Sequence, residues 1–211
     1  MPVAIKICGL TTVQDIEVCA ELGVEAIGIV LARSSRQVEP KQALRLFEAV
    51  PEGLFRVAVF REPDQILVDA VCRFPIDAVQ THATWQGRLP PDVRWLPAFR
   101  DGPDLVERVR SVVPHFHAGT LDASWPAVFF VDGPKPGSGR QGEIERAAEA
   151  ARLGPAALAG GLHAGNVVNA IGAVQPVAVD VSSGVEAAPG VKDPARMADF
   201  VAAARSFKDS T

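Results

Sequence analysis

Short apolar runs and amphipathic stretches alternate along the whole of this chain, and that rhythm restricts the fold more than any other feature. Eight runs read as strands: Val3–Cys8, Ala26–Leu31, Phe55–Phe60, Ile76–Gln80, Arg94–Phe99, Val128–Asp132, Ala156–Ala159 and Val177–Val181. Ala26-Ile27-Gly28-Ile29-Val30-Leu31 is apolar throughout, the pattern of a strand buried on both faces of a parallel sheet. Helices are expected between them over Val13–Leu22, Pro40–Val50, Asp64–Phe74, Pro103–Val113, Glu143–Arg152 and Gly165–Ile171, with a last one over Pro194–Phe207. The connection Thr84–Pro91 is the least helical.

Local signals support these boundaries. Thr12 lies three residues before Asp15, so a hydroxyl can cap the first turn while a carboxylate sits at the positive helix end, and Gly23 supplies a stop. Asp193 and Pro194 suit the cap and first position of the last helix. There Met197, Phe200, Val201 and Ala204 form one apolar stripe that should pack on the sheet.

Eight strands alternating with helices in 211 residues favour a single-domain α/β fold, a (β/α)8 barrel over residues 1–211, rather than an open doubly wound sheet. A hydrophobic content of 48% is enough for one substantial core. The net charge of −4 and the lack of a Lys/Arg cluster argue against a nucleic-acid surface. The longest apolar stretches are far short of the roughly 20 residues that cross a bilayer. With no secretion signal and an odd number of cysteines (Cys8, Cys19 and Cys72), the expectation is a cytoplasmic protein with free thiols.

A parallel barrel does its chemistry where the strands end. The first strand ends in Lys6 and Cys8, the fourth in Gln80 and then His82, and the sixth in Asp132. The seventh runs into Gly160-Gly161, and the eighth into Asp180-Val181-Ser182-Ser183-Gly184. A thiol at a strand end can become a base with modest help from a nearby cation such as Lys6. An acid in the position of Asp132 can donate a proton near neutrality if burial raises its pKa. Two glycine-bearing loops after strands seven and eight suggest a phosphate cradle, because backbone N–H groups can close on an anion there. Arg33 and Arg36, after strand two, carry guanidinium forks able to grip a carboxylate. His115, His117 and His163 lack metal-type spacing, so no metal is expected. The Gly/Pro-rich stretch 133–142 reads as a functional loop.

Lys6-Ile7-Cys8-Gly9-Leu10-Thr11, Arg33-Ser34-Ser35-Arg36, Asp132 with Gly137-Ser138-Gly139, and Leu158-Ala159-Gly160-Gly161-Leu162 together resemble the phosphoribosylanthranilate isomerases of tryptophan synthesis. The most specific match runs from Val179 to Glu186 and continues through Pro189-Gly190-Val191-Lys192-Asp193. Thr81 and Ala83 around His82, and Arg140-Gln141-Gly142-Glu143, depart from the family pattern. The resemblance implies an Amadori rearrangement without any cofactor, with Asp132 as general acid and Cys8 as base. It further implies that Arg36 binds the anthranilate carboxylate and that Gly160, Gly161, Ser182, Ser183 and Gly184 hold the phosphate, with Lys6, Gln80, His82 and Asp180 also substrate-binding. The expected partner is a small phosphorylated molecule, and the expected state a monomer or homodimer. A bifunctional isomerase of histidine and tryptophan synthesis would carry an aspartate where Cys8 stands, and a silent phosphate-sugar binding barrel would need neither Cys8 nor Asp132.

Overall fold

The computed structural model describes residues 2–62, 64–82, 85, 87–112, 125–133 and 142–208. Eight parallel strands close into a barrel in chain order: β1 (Ala4–Cys8), β2 (Ala26–Val30), β3 (Phe55–Phe60), β4 (Ala78–Thr81), β5 (Arg94–Arg100), β6 (Phe129–Asp132), β7 (Ala156–Leu158) and β8 (Ala178–Val181). The helices are α1 (Val13–Glu21), α2 (Pro40–Glu48), α3 (Gln65–Val71), α4 (Leu105–Val112), α5 (Ile144–Ala151), α6 (Val167–Val174) and α7 (Pro194–Ser206). Among the described residues the β4–β5 connection carries no helix, as its sequence suggests. Trp95 helps to close that flank, its Nε1–H donating to Thr81 Oγ1 at 3.0 Å. No helix of the described residues is long and apolar enough to cross a membrane.

The expected caps form. Asp15 N–H donates to Thr12 Oγ1 at 3.1 Å and Thr12 N–H donates to Asp15 Oδ2 at 3.1 Å. Asp193 Oδ1 accepts from the N–H groups of Ala195 and Arg196. The stripe Met197, Phe200, Val201 and Ala204 is buried. Helix α6 differs from expectation by starting at Val167 and running on to Val174. Residues 163–166 are first used in a turn, with His163 N–H bonded to Asn166 Oδ1. The helix then passes through Gly172, whose bare backbone faces the Phe207 ring, and ends at Gln175 in a left-handed conformation.

Alternation along each strand divides the core into two layers. Ile5, Ile7, Ile27, Ile29, Phe129, Val131, Val179 and Val181 belong to the outer layer under the helices. Ala4, Cys8, Ala26, Ala78, Ala98, Ala157 and Ala178 belong to the inner one. These small inner residues leave room for a plug of three large rings. Trp125 is fully buried and stacks on Phe55 at 6.4 Å and on Phe130 at 6.0 Å between ring centroids. The plug fills the lower barrel and leaves the mouth, at the strand ends, for polar side chains.

Close approach shapes the mouth as well. Cys8 and Gly28 are paired across β1 and β2. A Cβ on Gly28 would lie 2.7 Å from Cys8 Sγ and 3.0 Å from Lys6 Nζ, inside van der Waals contact. Only a residue without a side chain leaves the thiol and the ammonium where they are.

Two expectations follow. Trp125→Ala empties the plug and should lower unfolding free energy by about 3–5 kcal/mol, read from urea denaturation. Gly28→Ala should cost about 1–3 kcal/mol through overpacking in the same measurement; a Gly28→Ala protein as stable as wild type would show that this space is not tight.

Candidate active site

The inward positions nearest the strand ends bring together most of the residues singled out from the sequence. Cys8, Arg36, Gln80, His82, Asp132, Gly160, Gly161, Asp180, Ser182 and Ser183 line one cavity. The cavity opens to solvent, and the empty space in and over it comes to about 820 Å³, open solvent included. Arg33, Ser34 and Arg61 complete its rim. Arg61 was not foreseen, although a cation directly after β3 is the kind of signal that strand-end reasoning can pick up.

The floor is built around a buried ion pair. Lys6 and Asp180 are register partners on β1 and β8, and Lys6 Nζ donates to Asp180 Oδ1 at 2.9 Å. Lys6 has no exposure and also sits 5.1 Å from the centroid of the Phe130 ring. Burial works against its charge, but Asp180 and Cys8 outweigh that and hold the ammonium above its ordinary pKa. Lys6, expected among the substrate-binding residues, is absent from the cavity lining: its buried side chain ends on Asp180 instead.

Burial pushes the Cys8 thiol up, and the neighbouring Lys6 ammonium pulls it back down in part. Asp132 is raised to about 7, first by burial and then by the Asp180 charge, while the bond from Gly133 N–H to Oδ1 at 2.7 Å acts in the opposite sense. His82 Nδ1 stands 3.7 Å from Asp132 Oδ2. Burial, followed by Arg100, lowers His82 to about 4, so it is a neutral imidazole beside a carboxyl group that is half protonated near neutrality. Gln80 Oε1 is buried without a partner among the described residues.

Gly160 and Gly161 follow β7 with φ of 83° and 69°, values that side-chain-bearing residues rarely adopt. At Gly160 a Cβ would fall 2.1 Å from Gly133 N and 2.8 Å from Asp132 Oδ1. Bare backbone here therefore lets the β7 loop press against the acid. Ser182 and Ser183 face the same cavity from the β8 side. Gly184 is not among the residues that line it, and a Cβ there would lie 1.9 Å from the Leu162 carbonyl oxygen, so its bare backbone lets the two loops meet. Gly137-Ser138-Gly139, Arg140, Gln141, Ala83, His115 and His117 lie outside the described residues. His163 donates its backbone N–H to Asn166 and is part of the α6 turn.

Arg36 reaches the cavity but not as a free fork. Its Nε–H and Nη2–H donate to Glu186 Oε1 and Oε2 at 2.6 and 2.8 Å. Glu186 and the buried Lys192 were read from the sequence only as part of a motif. Both lie on a small hairpin, β9 (Glu186–Ala188) and β10 (Val191–Lys192), that follows β8 and precedes α7.

This arrangement can be compared with known proteins. A solved structure of phosphoribosyl anthranilate isomerase from Thermotoga maritima superposes with a TM-score of 0.80 at 29% identity, covering 96% of this chain and 98% of that one. A second, crystallised with reduced 1-(o-carboxyphenylamino)-1-deoxyribulose 5-phosphate, gives 0.76 at 28% identity over 96% of this chain and 98% of that one. The N-(5'-phosphoribosyl)anthranilate isomerase of Geobacter sulfurreducens is 36% identical over 217 residues, covering 97% of this chain and 100% of that one. The family model described as N-(5'phosphoribosyl)anthranilate (PRA) isomerase matches residues 5–203, and with this agreement in sequence and fold the chain belongs to that family.

Proposed function

We propose that this barrel isomerises N-(5'-phosphoribosyl)anthranilate to 1-(2-carboxyphenylamino)-1-deoxyribulose 5-phosphate, a step of tryptophan synthesis. The observation that carries this reading is the convergence of Cys8 and Asp132 on one cavity bounded by the Gly160-Gly161 and Ser182-Ser183 loops.

In this reading Asp132 is the general acid. Raised to about 7 by burial and by Asp180, its carboxyl group holds a proton near neutrality and delivers it to the ribose ring oxygen, opening the ring to an iminium at C1. Cys8 as thiolate then takes the proton from C2, and the electron pair of that bond moves toward the iminium nitrogen. The resulting enolamine tautomerises to the aminoketose. Lys6, held charged by Asp180, stabilises the thiolate without touching substrate. The amides of Gly160 and Gly161, which donate to no protein acceptor among the described residues, offer N–H groups to the phosphate, with the Ser183 side chain on the adjoining β8 loop and Ser182 holding that loop through its bond to the Cys8 carbonyl. Gln80 Oε1 and His82 Nδ1 reach the cavity without a hydrogen-bond partner among the described residues and are suited to sugar hydroxyls. Arg36 receives the anthranilate carboxylate.

The assay follows the loss of anthranilate fluorescence from freshly prepared substrate. Cys8→Ala and Asp132→Asn should each lower kcat by at least about a hundredfold, with inhibition by inorganic phosphate unchanged. Wild-type turnover in either variant would remove that residue from its role, and phosphate binding without turnover in the wild type would indicate a binding barrel. The pH profile follows from the two shifts. The productive form, protonated Asp132 with ionised Cys8, carries the same number of protons as ionised Asp132 with neutral Cys8, so the two rise and fall together. Because Asp132 titrates near 7 and burial raises Cys8, kcat/KM should climb about tenfold from pH 6 to pH 8 and fall only at higher pH. A maximum below pH 6 would contradict this.

A further inference from the structure

The Arg36 guanidinium, the Glu186 carboxylate and the Lys192 ammonium form a chain that the proposed chemistry does not use directly. Their side chains are 10%, 5% and 0% exposed. Of the five N–H groups of a guanidinium, Glu186 accepts the two on its inner edge, from Nε and Nη2. The outer edge, Nη1 with the remaining Nη2 hydrogen, is left to face a ligand. Glu186 is itself pinned from behind, since Lys192 Nζ donates to Glu186 Oε1 at 3.0 Å and to the Ser182 carbonyl at 2.9 Å. Ser182 Oγ–H continues the chain to the Cys8 carbonyl at 2.9 Å. The hairpin that carries Glu186 and Lys192 is clamped as well: Thr11 Oγ1–H donates to the Gly190 carbonyl at 3.2 Å, and a Cβ on Gly190 would lie 2.3 Å from the Ser35 carbonyl oxygen. On the other side the Arg36 stem lies against Gly9, where a Cβ would fall 2.5 Å from Arg36 Cδ.

Every neighbour of Arg36 thus restricts it to one pose. A free arginine would present either edge and would give up several rotatable bonds on binding, whereas this one is fixed before the ligand arrives. We propose that Glu186, backed by Lys192, is a positioning residue that fixes Arg36 so that only its outer edge meets the substrate carboxylate, making the site selective for an anthranilate-type amine over an uncharged aniline. This deepens the function proposed above and rests on it.

The test compares N-(5-phosphoribosyl)anthranilate with N-(5-phosphoribosyl)aniline, which lacks the carboxylate. Turnover of the first by wild-type protein is measured beforehand, so failure of the functional reading is seen separately. Glu186→Gln should raise KM for the anthranilate substrate at least about tenfold, keep kcat within about threefold, and leave KM for the aniline and inhibition by inorganic phosphate unaltered. The variant Glu186→Asp keeps the net charge of the trio while shortening the carboxylate's reach to Arg36 and should show the same pattern, which covers instability of the first variant. An unchanged anthranilate KM, or equal losses for both substrates, would overturn the proposal. A third reading needs no variant: on titrating wild-type protein with anthranilate, the Arg36 Nε–H resonance should hold its position while the Nη signals move. Displacement of the Nε–H signal toward that of a free arginine would mean that the ligand replaces Glu186, which also overturns it.

Discussion

The Lys6–Asp180 ion pair is the contact around which the barrel and its mouth are organised. It spans β1 and β8, the first and last strands, where the sheet closes on itself. Two opposite charges buried together lose solvation, and attraction alone does not make such a pair a source of stability. Removing one partner, however, strands the other at a cost of about 3–5 kcal/mol. What the pair supplies is a fixed dipole under the cavity. Its ammonium end pulls the Cys8 thiol down, outweighing Asp180 there. Its carboxylate end pushes Asp132 up, outweighing Lys6. One buried pair thus biases the Cys8 thiol and the Asp132 carboxyl group in opposite directions, as the proposed proton transfers from carbon and to oxygen would need.

The fold was legible because the chain repeats one local rule eight times, and each apolar run is short, bounded and followed by a capping or turn residue. Boundaries moved by one to three residues, most at α6, where the Asn166 side chain takes up the His163 amide before the helix starts. The placement of Cys8 and Asp132 at one cavity was legible for a related reason. A thiol before Gly9 and a carboxylate at the end of β6 occupy places where strand geometry leaves few alternatives, while the roles proposed for them come from the resemblance to a known family. The glycines after β7 could likewise be read as a loop able to approach an anion.

Other parts were not legible because they depend on contacts between distant segments. Nothing around Lys6 tells whether its ammonium surfaces in the cavity or ends on a carboxylate 174 residues away. Gly28 looks like one more apolar position within β2, and only the register with Cys8 shows that its missing side chain houses the thiol. Glu186 is 150 residues from Arg36, and only the folded chain shows that their bidentate contact takes two of the arginine's N–H groups. Trp125 carries no local sign that it fills the barrel, since its partners Phe55 and Phe130 come from β3 and β6.

Closure of the eight-stranded sheet has a further consequence for how this protein meets other molecules. Every barrel strand has a neighbour on both sides, so none offers a free rim onto which an extended peptide or a second chain could hydrogen-bond. Among the described residues, unpaired strand rims occur only on the two- and three-residue strands of the hairpin, too short to template a ladder. Among the described residues, then, the surfaces left for assembly are the outer faces of the helices and the loops rather than the edge of a sheet.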